Sequence, residues 1–179
     1  MNSAHPHRPQ AERLTEPQAR SLLPQLVALL TDGVEHGASI GFLRPLPQDV
    51  AVRYWDEVLR EVDQGSRVLL VIREHSLVVG SVQLGLCQKP NGRHRAELQK
   101  LLVHSSARRR GHARVLMAAA ETQARAEHRT LLYLDTEPGQ PAEALYHALG
   151  WTHAGTIPEY AATPDGALHG TALFFKKLA

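Results

Sequence analysis

A β-rich run from Glu97 to Val103, a glycine-containing turn, an amphipathic stretch over about 111–127 and a second β-rich run from Leu131 to Asp135 follow one another directly. Strand, crossover helix and strand of these lengths require a parallel pair joined with right-handed sense. They therefore require a sheet with helices laid on it. Val115, Leu116, Ala119 and Ala120 supply the stripe that the helix would bury. The turn reads Arg108-Arg109-Arg110-Gly111-His112-Ala113, an Arg-x-x-Gly-x-Ala sequence that opens the helix. Such a turn presents free backbone N–H groups at the positive end of a helix dipole, which suits phosphate. Gly111 lets the backbone come close to an anion, and Ala113 keeps the next contact small. The three arginines add charge-assisted hydrogen bonds for a polyanion. The arrangement suits a pyrophosphate.

The rest of the chain reads as one α/β domain without repeats. Residues 16–30 carry apolar positions at helical spacing, with Asp32-Gly33 and Gly37-Ala38-Ser39 following as loop. Residues 47–62 read as a second helix, with Val50, Tyr54, Val58 and Leu59 on one face. Residues 67–73 and 77–86 form a hairpin around Glu74-His75-Ser76, and Lys89-Pro90-Asn91-Gly92 breaks the chain before the run at 97. Ala142 to Leu149 is a helix closed by Gly150, and Thr171 to Lys176 a last strand. The Pro- and Gly-containing stretch 157–170 between them reads as a loop that could form a lid.

Composition narrows the functional classes. The chain has 179 residues, 43% of them hydrophobic, which is enough for one cored domain. Its polar, proline-containing start is read as a disordered leader (1–11), leaving a single domain over 12–179. Net charge is only +2, yet seven Lys or Arg against one Glu fall between Arg93 and Arg114, about +6 locally. The single cysteine, Cys87, excludes an internal disulfide and fits a reducing, cytoplasmic setting. The longest aliphatic run, Val68 to Ile72, is too short to span a bilayer. Eleven histidines lack any ligand spacing, so no metal is expected.

The phosphate turn, together with Ala144-Leu145-Tyr146-His147-Ala148-Leu149-Gly150-Trp151, resembles the acetyl-CoA signature of the GCN5-related N-acetyltransferase (GNAT) superfamily over about 66–178. A narrower resemblance, to the tabtoxin-resistance acetyltransferases, rests on 37–42, 86–92, 134–137 and 162–166. The resemblance implies a three-layer α/β fold: a mixed, twisted sheet of six to seven strands, splayed between its central parallel pair and flanked by about four helices. It implies acetyl-CoA as cosubstrate, held by main-chain groups of Leu101, Leu102 and Val103 and by Arg108, Arg109, Arg110, Gly111, His112, Ala113 and Arg114.

Direct acetyl transfer needs a neutral amine, and a primary amine near pKa 10 is almost wholly cationic at pH 7. By resemblance, Glu97 matches the family's carboxylate base and Asp135 the second acidic residue of the tabtoxin-type site. Glu97 would act through a water or from the side, since four residues of strand, about 13 Å, separate it from Leu101. The alternatives are a strand-end Glu97 paired with Arg95 or Lys100, and an Asp135 that caps the turn at Thr136-Glu137. Tyr146 occupies the general-acid position, against the alternative of a packed helix aromatic. Where many relatives carry asparagine seven residues earlier, this chain has Gly139. Ser39 and Tyr160 are candidate substrate contacts; His104 and His112 flank the turn as cofactor or solvent contacts.

The resemblance implies direct acetyl transfer to the amine of a small molecule, such as an amino-acid-like or β-lactam toxin or antibiotic, with detoxification as the outcome. A protein or peptide N-acetyltransferase is the second reading. A nucleic-acid-binding module is the third, disfavoured because aromatics are only 5% of the chain and the charge gathers at one helix start. Nucleic acid and membrane are not expected partners, and the chain is expected to act as a monomer or homodimer.

Overall fold

A computed structural model describes residues 9–178. Most of the expected leader lies outside the described residues. Its last part does not: Ala11–Leu14 forms strand β1, which pairs antiparallel with β2 (Arg67–Glu74). β3 (Leu77–Leu86), β4 (Arg95–Val103), β5 (Leu131–Thr136), β6 (Thr152–Ala162) and β7 (Leu168–Lys177) complete a seven-stranded sheet in the order β1-β2-β3-β4-β5-β7-β6. The expected parallel pair is β4 and β5.

Side chains along β2 alternate between two cores, as the period of two demands. Val68, Leu70 and Ile72 join Leu116, Met117, Ala120 and Phe174 under helices α4 (His112–Ala126) and α5 (Pro141–Ala148). Leu69 and Val71 join Leu26, Leu30, Trp55 and Leu59 under α1 (Glu16–Ser21), α2 (Leu23–Glu35) and α3 (Gln48–Asp63). The result is three layers with five helices rather than four. α3 buries Ala51, Trp55, Val58 and Leu59, while Val50 and Tyr54 stay at its margin.

Two sequence expectations are corrected. Asp32-Gly33 lies inside α2, not in a loop. A Cβ at Gly33 would come 3.0 Å from Leu102 Cδ2, so the glycine there serves close packing rather than chain reversal. The stretch 157–170 is no lid loop: it is the end of β6, a turn over 163–167 and the start of β7. Gly155 and Pro158 disguised β6. At a sheet edge a proline costs no ladder bond, and here it sits within the register shift between Ile157 and Ala161, next to Glu159 at φ +49°.

Candidate active site

β4 and β5 pair only at Arg95–Leu131, Ala96–Leu132 and Glu97–Tyr133. Beyond these pairs β5 continues against β7 and β4 against β3, so the sheet forks. A second distortion shapes β4: Lys100 has φ +50°, and the register against β3 slips between Ser81 and Gln83. This β-bulge reverses the facing of everything after it. Ala96 and Leu98 point into the α4–α5 core, whereas Leu102 points into the α1–α3 core. Leu101 and Val103 therefore turn to the α4–α5 side, where they pack against that core and line the cavity, while their main chain has no partner on β5.

A cavity of about 600 Å³ fills the fork. Its lining brings together Glu97, Asp135, Tyr146, Ser39 and Tyr160, which come from five separate parts of the chain. Tyr160 belongs to β6 rather than to a loop. One wall is the 36–41 segment, and just beyond it Arg44 ties the chain to the β6–β7 turn, its N–H donating to Pro164 O at 2.8 Å and its side chain ion-paired with Asp165.

Neither carboxylate takes its alternative role. Glu97 Oε2 accepts from the Tyr133 hydroxyl at 3.4 Å rather than pairing with Arg95 or Lys100. Asp135 Oδ2 accepts from the Thr171 hydroxyl of β7 at 3.0 Å, which holds it toward the cavity instead of capping the next turn. Glu137 is committed elsewhere, 3.0 Å from His169 Nδ1 and accepting from Gln140.

Tyr146 is buried on α5, its ring against Trp151 and Phe174 with centroids 6.0 and 5.9 Å away. Burial, helped by the charge of Asp135, raises its pKa to about 12, so the phenol keeps its proton at all ordinary pH. Burial also pushes Tyr54 up to about 12. A raised folded-state pKa gives stability that is full below the unfolded value of 10 and is lost as pH climbs toward 12. Denaturant titrations should therefore show stability falling between pH 10 and 12 by about 2 kcal/mol for each of the two tyrosines. Tyr54→Phe should remove roughly half of that slope; an unchanged slope would contradict the shift at Tyr54.

The phosphate turn lies at the mouth of the fork. Arg109 at φ +62° and Gly111 at φ +86°, ψ −1°, are both left-handed, and Gly111 is the N-cap of α4. Alternating hands of this kind gather successive N–H groups into an anion-binding concavity. The first turn of α4 adds donors with no intrahelical partner. Arg108 and Ala113 reach the cavity lining, while Arg109 and Arg114 are exposed. Two of the expected contact residues direct their side chains away from the concavity. The His112 ring is 2% exposed and points under the turn, with Nε2 2.9 Å from Glu74 Oε1, although the N–H direction does not make a hydrogen bond. Arg110 is bound to the same Glu74 at 3.2 Å and to Ser106 O at 2.8 Å. Both side chains support the turn from below. His104 is likewise structural, accepting from Ser106 N while its Nε2 lies 3.6 Å from Asp32. Asp32 receives both the N–H and the hydroxyl of Ser105, at 2.7 and 2.6 Å, and so fastens the turn to α2.

Lys100 and Gln99 also line the cavity and were not recognised in the sequence. The available signal was the pair itself: two successive long polar residues interrupt the apolar alternation of a central strand, as a bulge would. Gln99 accepts from Arg67 at 2.5 Å within a Tyr54–Gln83–Arg67 network beneath the cavity floor. Among the described residues no cluster of metal-ligating side chains occurs, and no helix is long and apolar enough to cross a membrane.

The protein is a three-layer α/β fold whose sheet forks beside a helix start with free N–H donors, an arrangement chemically suited to a phosphate-bearing ligand. Residues 35–151 match the family described as the acetyltransferase (GNAT) family, and the chain belongs to that family. An Azospirillum brasilense protein, the uncharacterized N-acetyltransferase of the hisH-hisA intergenic region, is 34% identical over 111 residues, 61% of this chain and 64% of that protein. The match thus spans less than two thirds of that relative. The ribosomal-protein-alanine N-acetyltransferase of Brucella melitensis superposes with a TM-score of 0.79 at 25% identity, covering 94% of this chain and 99% of that one. The structure of yncA from Salmonella typhimurium with its cofactor acetyl-CoA superposes with a TM-score of 0.77 at 18% identity, covering 97% and 95%.

Proposed function

We propose that this chain is an acetyl-CoA-dependent N-acetyltransferase that acetylates a small-molecule amine, with an amino-acid-like toxin or antibiotic as the acceptor class and detoxification as the role. The observation that carries this reading is the convergence of two carboxylates and a protonated phenol, Glu97, Asp135 and Tyr146, on one cavity at the fork.

The residues present fit acetyl-CoA. A side chain at Gly111 would meet nothing within 4 Å, so an open space borders the N–H groups of the turn. Main-chain groups of Leu101, Leu102 and Val103 lie along the unpaired side of β4, with the remaining donors at Arg108, Arg109, Gly111, Ala113 and Arg114. The His112 and Arg110 side chains approach Glu74 beneath the turn, so these two residues contribute to ligand binding through their main-chain N–H groups. Acetyl-CoA supplies an activated thioester and a good leaving group. Glu97 accepts the acceptor ammonium's proton through a bound water, and Asp135 attracts and orients the cation. Backbone donors of β4 are fixed before charge develops, which is the condition for oxyanion stabilisation. Tyr146 holds its proton at Oη on the same wall. Among the described residues no cysteine lines the cavity, and transfer within a ternary complex is the expected course.

A peptide acceptor is the second reading. It is favoured by the Brucella protein's name and by the apolar residues Ile157, Tyr160 and Leu168 exposed along β6 and β7. The test is thiol release from acetyl-CoA with a panel of amino acids and amines beside peptides with N-terminal alanine. Turnover of the small acceptors alone supports the first reading. Turnover of peptides alone supports the second.

A further inference from the structure

We infer that Lys100 is the anchor for an anionic group, a carboxylate, on the acceptor, and that the acceptor is therefore a zwitterion whose amine faces Asp135 and Glu97. The inference rests on the small-amine reading and deepens it. Lys100 lies in the middle of the central strand, on the bulge where φ is +50°, and its side chain lines the cavity. Among the described residues its ammonium forms no ion pair within 4.0 Å and no hydrogen bond to a side chain.

Its neighbours do not satisfy it. Nζ is 3.8 Å from the position of a Cβ at Gly41 and 6.0 Å from the Tyr54 ring centroid, the outer limit of a cation–π contact. The nearby cation Arg67 is already bound to Glu61, Gln83 and Gln99. Desolvation lowers the Lys100 pKa, opposed by Asp135 and Glu97, whose fields reach it without direct contact.

Charge balance selects the ligand. A partly desolvated ammonium without a partner is unfavourable, and one facing an incoming ammonium is more so. A simple amine would satisfy the carboxylates and leave Lys100 opposed to it. An α-amino acid satisfies both ends, since its carboxylate lies one carbon from the amine. Ser39 and Gly41, on the loop that Lys100 approaches, face the same space.

The experiment compares L-amino acids with the matching decarboxylated amines, such as L-phenylalanine with phenethylamine and L-leucine with isoamylamine. It uses wild type, Lys100→Met and Lys100→Arg. Thiol release gives kcat and KM, and calorimetry in the presence of CoA gives acceptor affinity even where chemistry is slow. Wild type should prefer at least one amino acid over its amine by about 100-fold in kcat/KM. Lys100→Met should erase most of this preference through KM, with acetyl-CoA affinity unchanged, and Lys100→Arg should restore part of it. Equal or better use of the amines by wild type, or a preference surviving in Lys100→Met, overturns the inference while leaving the acetyltransferase reading intact. So does binding and turnover of peptides with none of the amino acids. Failure of wild type to bind acetyl-CoA is the separate failure of the functional reading.

Discussion

Replacing Gly111 with glutamate should abolish acetyl-CoA binding while the domain stays folded. Gly111 is left-handed at φ +86°, and a Cβ there touches nothing within 4 Å. The substitution therefore costs the left-handed penalty of about 1–2 kcal/mol and no clash. That is a minor part of the 5–15 kcal/mol that holds a typical domain. The effect on binding is far larger. The new carboxylate lies at the positive end of α4, where it neutralises the dipole, competes for the N–H groups and repels phosphate. We expect at least about a 100-fold loss in affinity, with Gly111→Ala, which carries the same backbone penalty but no charge, losing about tenfold or less. Calorimetric titration reads both; normal affinity in the glutamate variant would refute the phosphate-turn assignment.

The second large effect is expected at Tyr146. Phenylalanine keeps the contacts with Trp151 and Phe174 and removes only the hydroxyl. We expect kcat to fall by roughly 10²–10⁴ with acetyl-CoA affinity nearly unchanged. With its pKa at about 12, the phenol stays protonated. Full proton transfer to a thiolate near 8.5 would be uphill by about 5 kcal/mol. In the proposed mechanism Tyr146 Oη acts mainly by donating a hydrogen bond where negative charge collects, and no alkaline loss of kcat below about pH 11 should trace to this residue. Turnover unaffected by the substitution would reduce Tyr146 to a packing role.

The centre of the fold was legible because strand, turn, crossover helix and strand each carry a local signature. The turn at 108–113 and the helix it opens lie where their sequence places them. Elements at the edges were not legible. β1 is four residues long, too short for periodicity, and gains its place only by pairing with β2. β6 contains Gly155 and Pro158 and is exposed along most of its length, so neither pattern nor propensity marks it. Glu97, Asp135 and Tyr146 were candidates by resemblance alone, and that they line one cavity depends on the fork. The direction of the His112 and Arg110 side chains cannot be read in one dimension, because it depends on the position of Glu74 beneath the turn. Lys100 escaped because a bulge turned what alternation assigns to a core face toward a cavity.

The most direct test of the account is a thermal-shift titration of the wild-type protein with acetyl-CoA, CoA and a short DNA duplex in parallel. Saturable stabilisation by acetyl-CoA and CoA, with none from DNA, is the predicted result, because the charge is concentrated at one helix start and the cavity continues from it. Stabilisation by DNA with no response to acetyl-CoA would contradict the account and remove the acetyl-transfer reading with it.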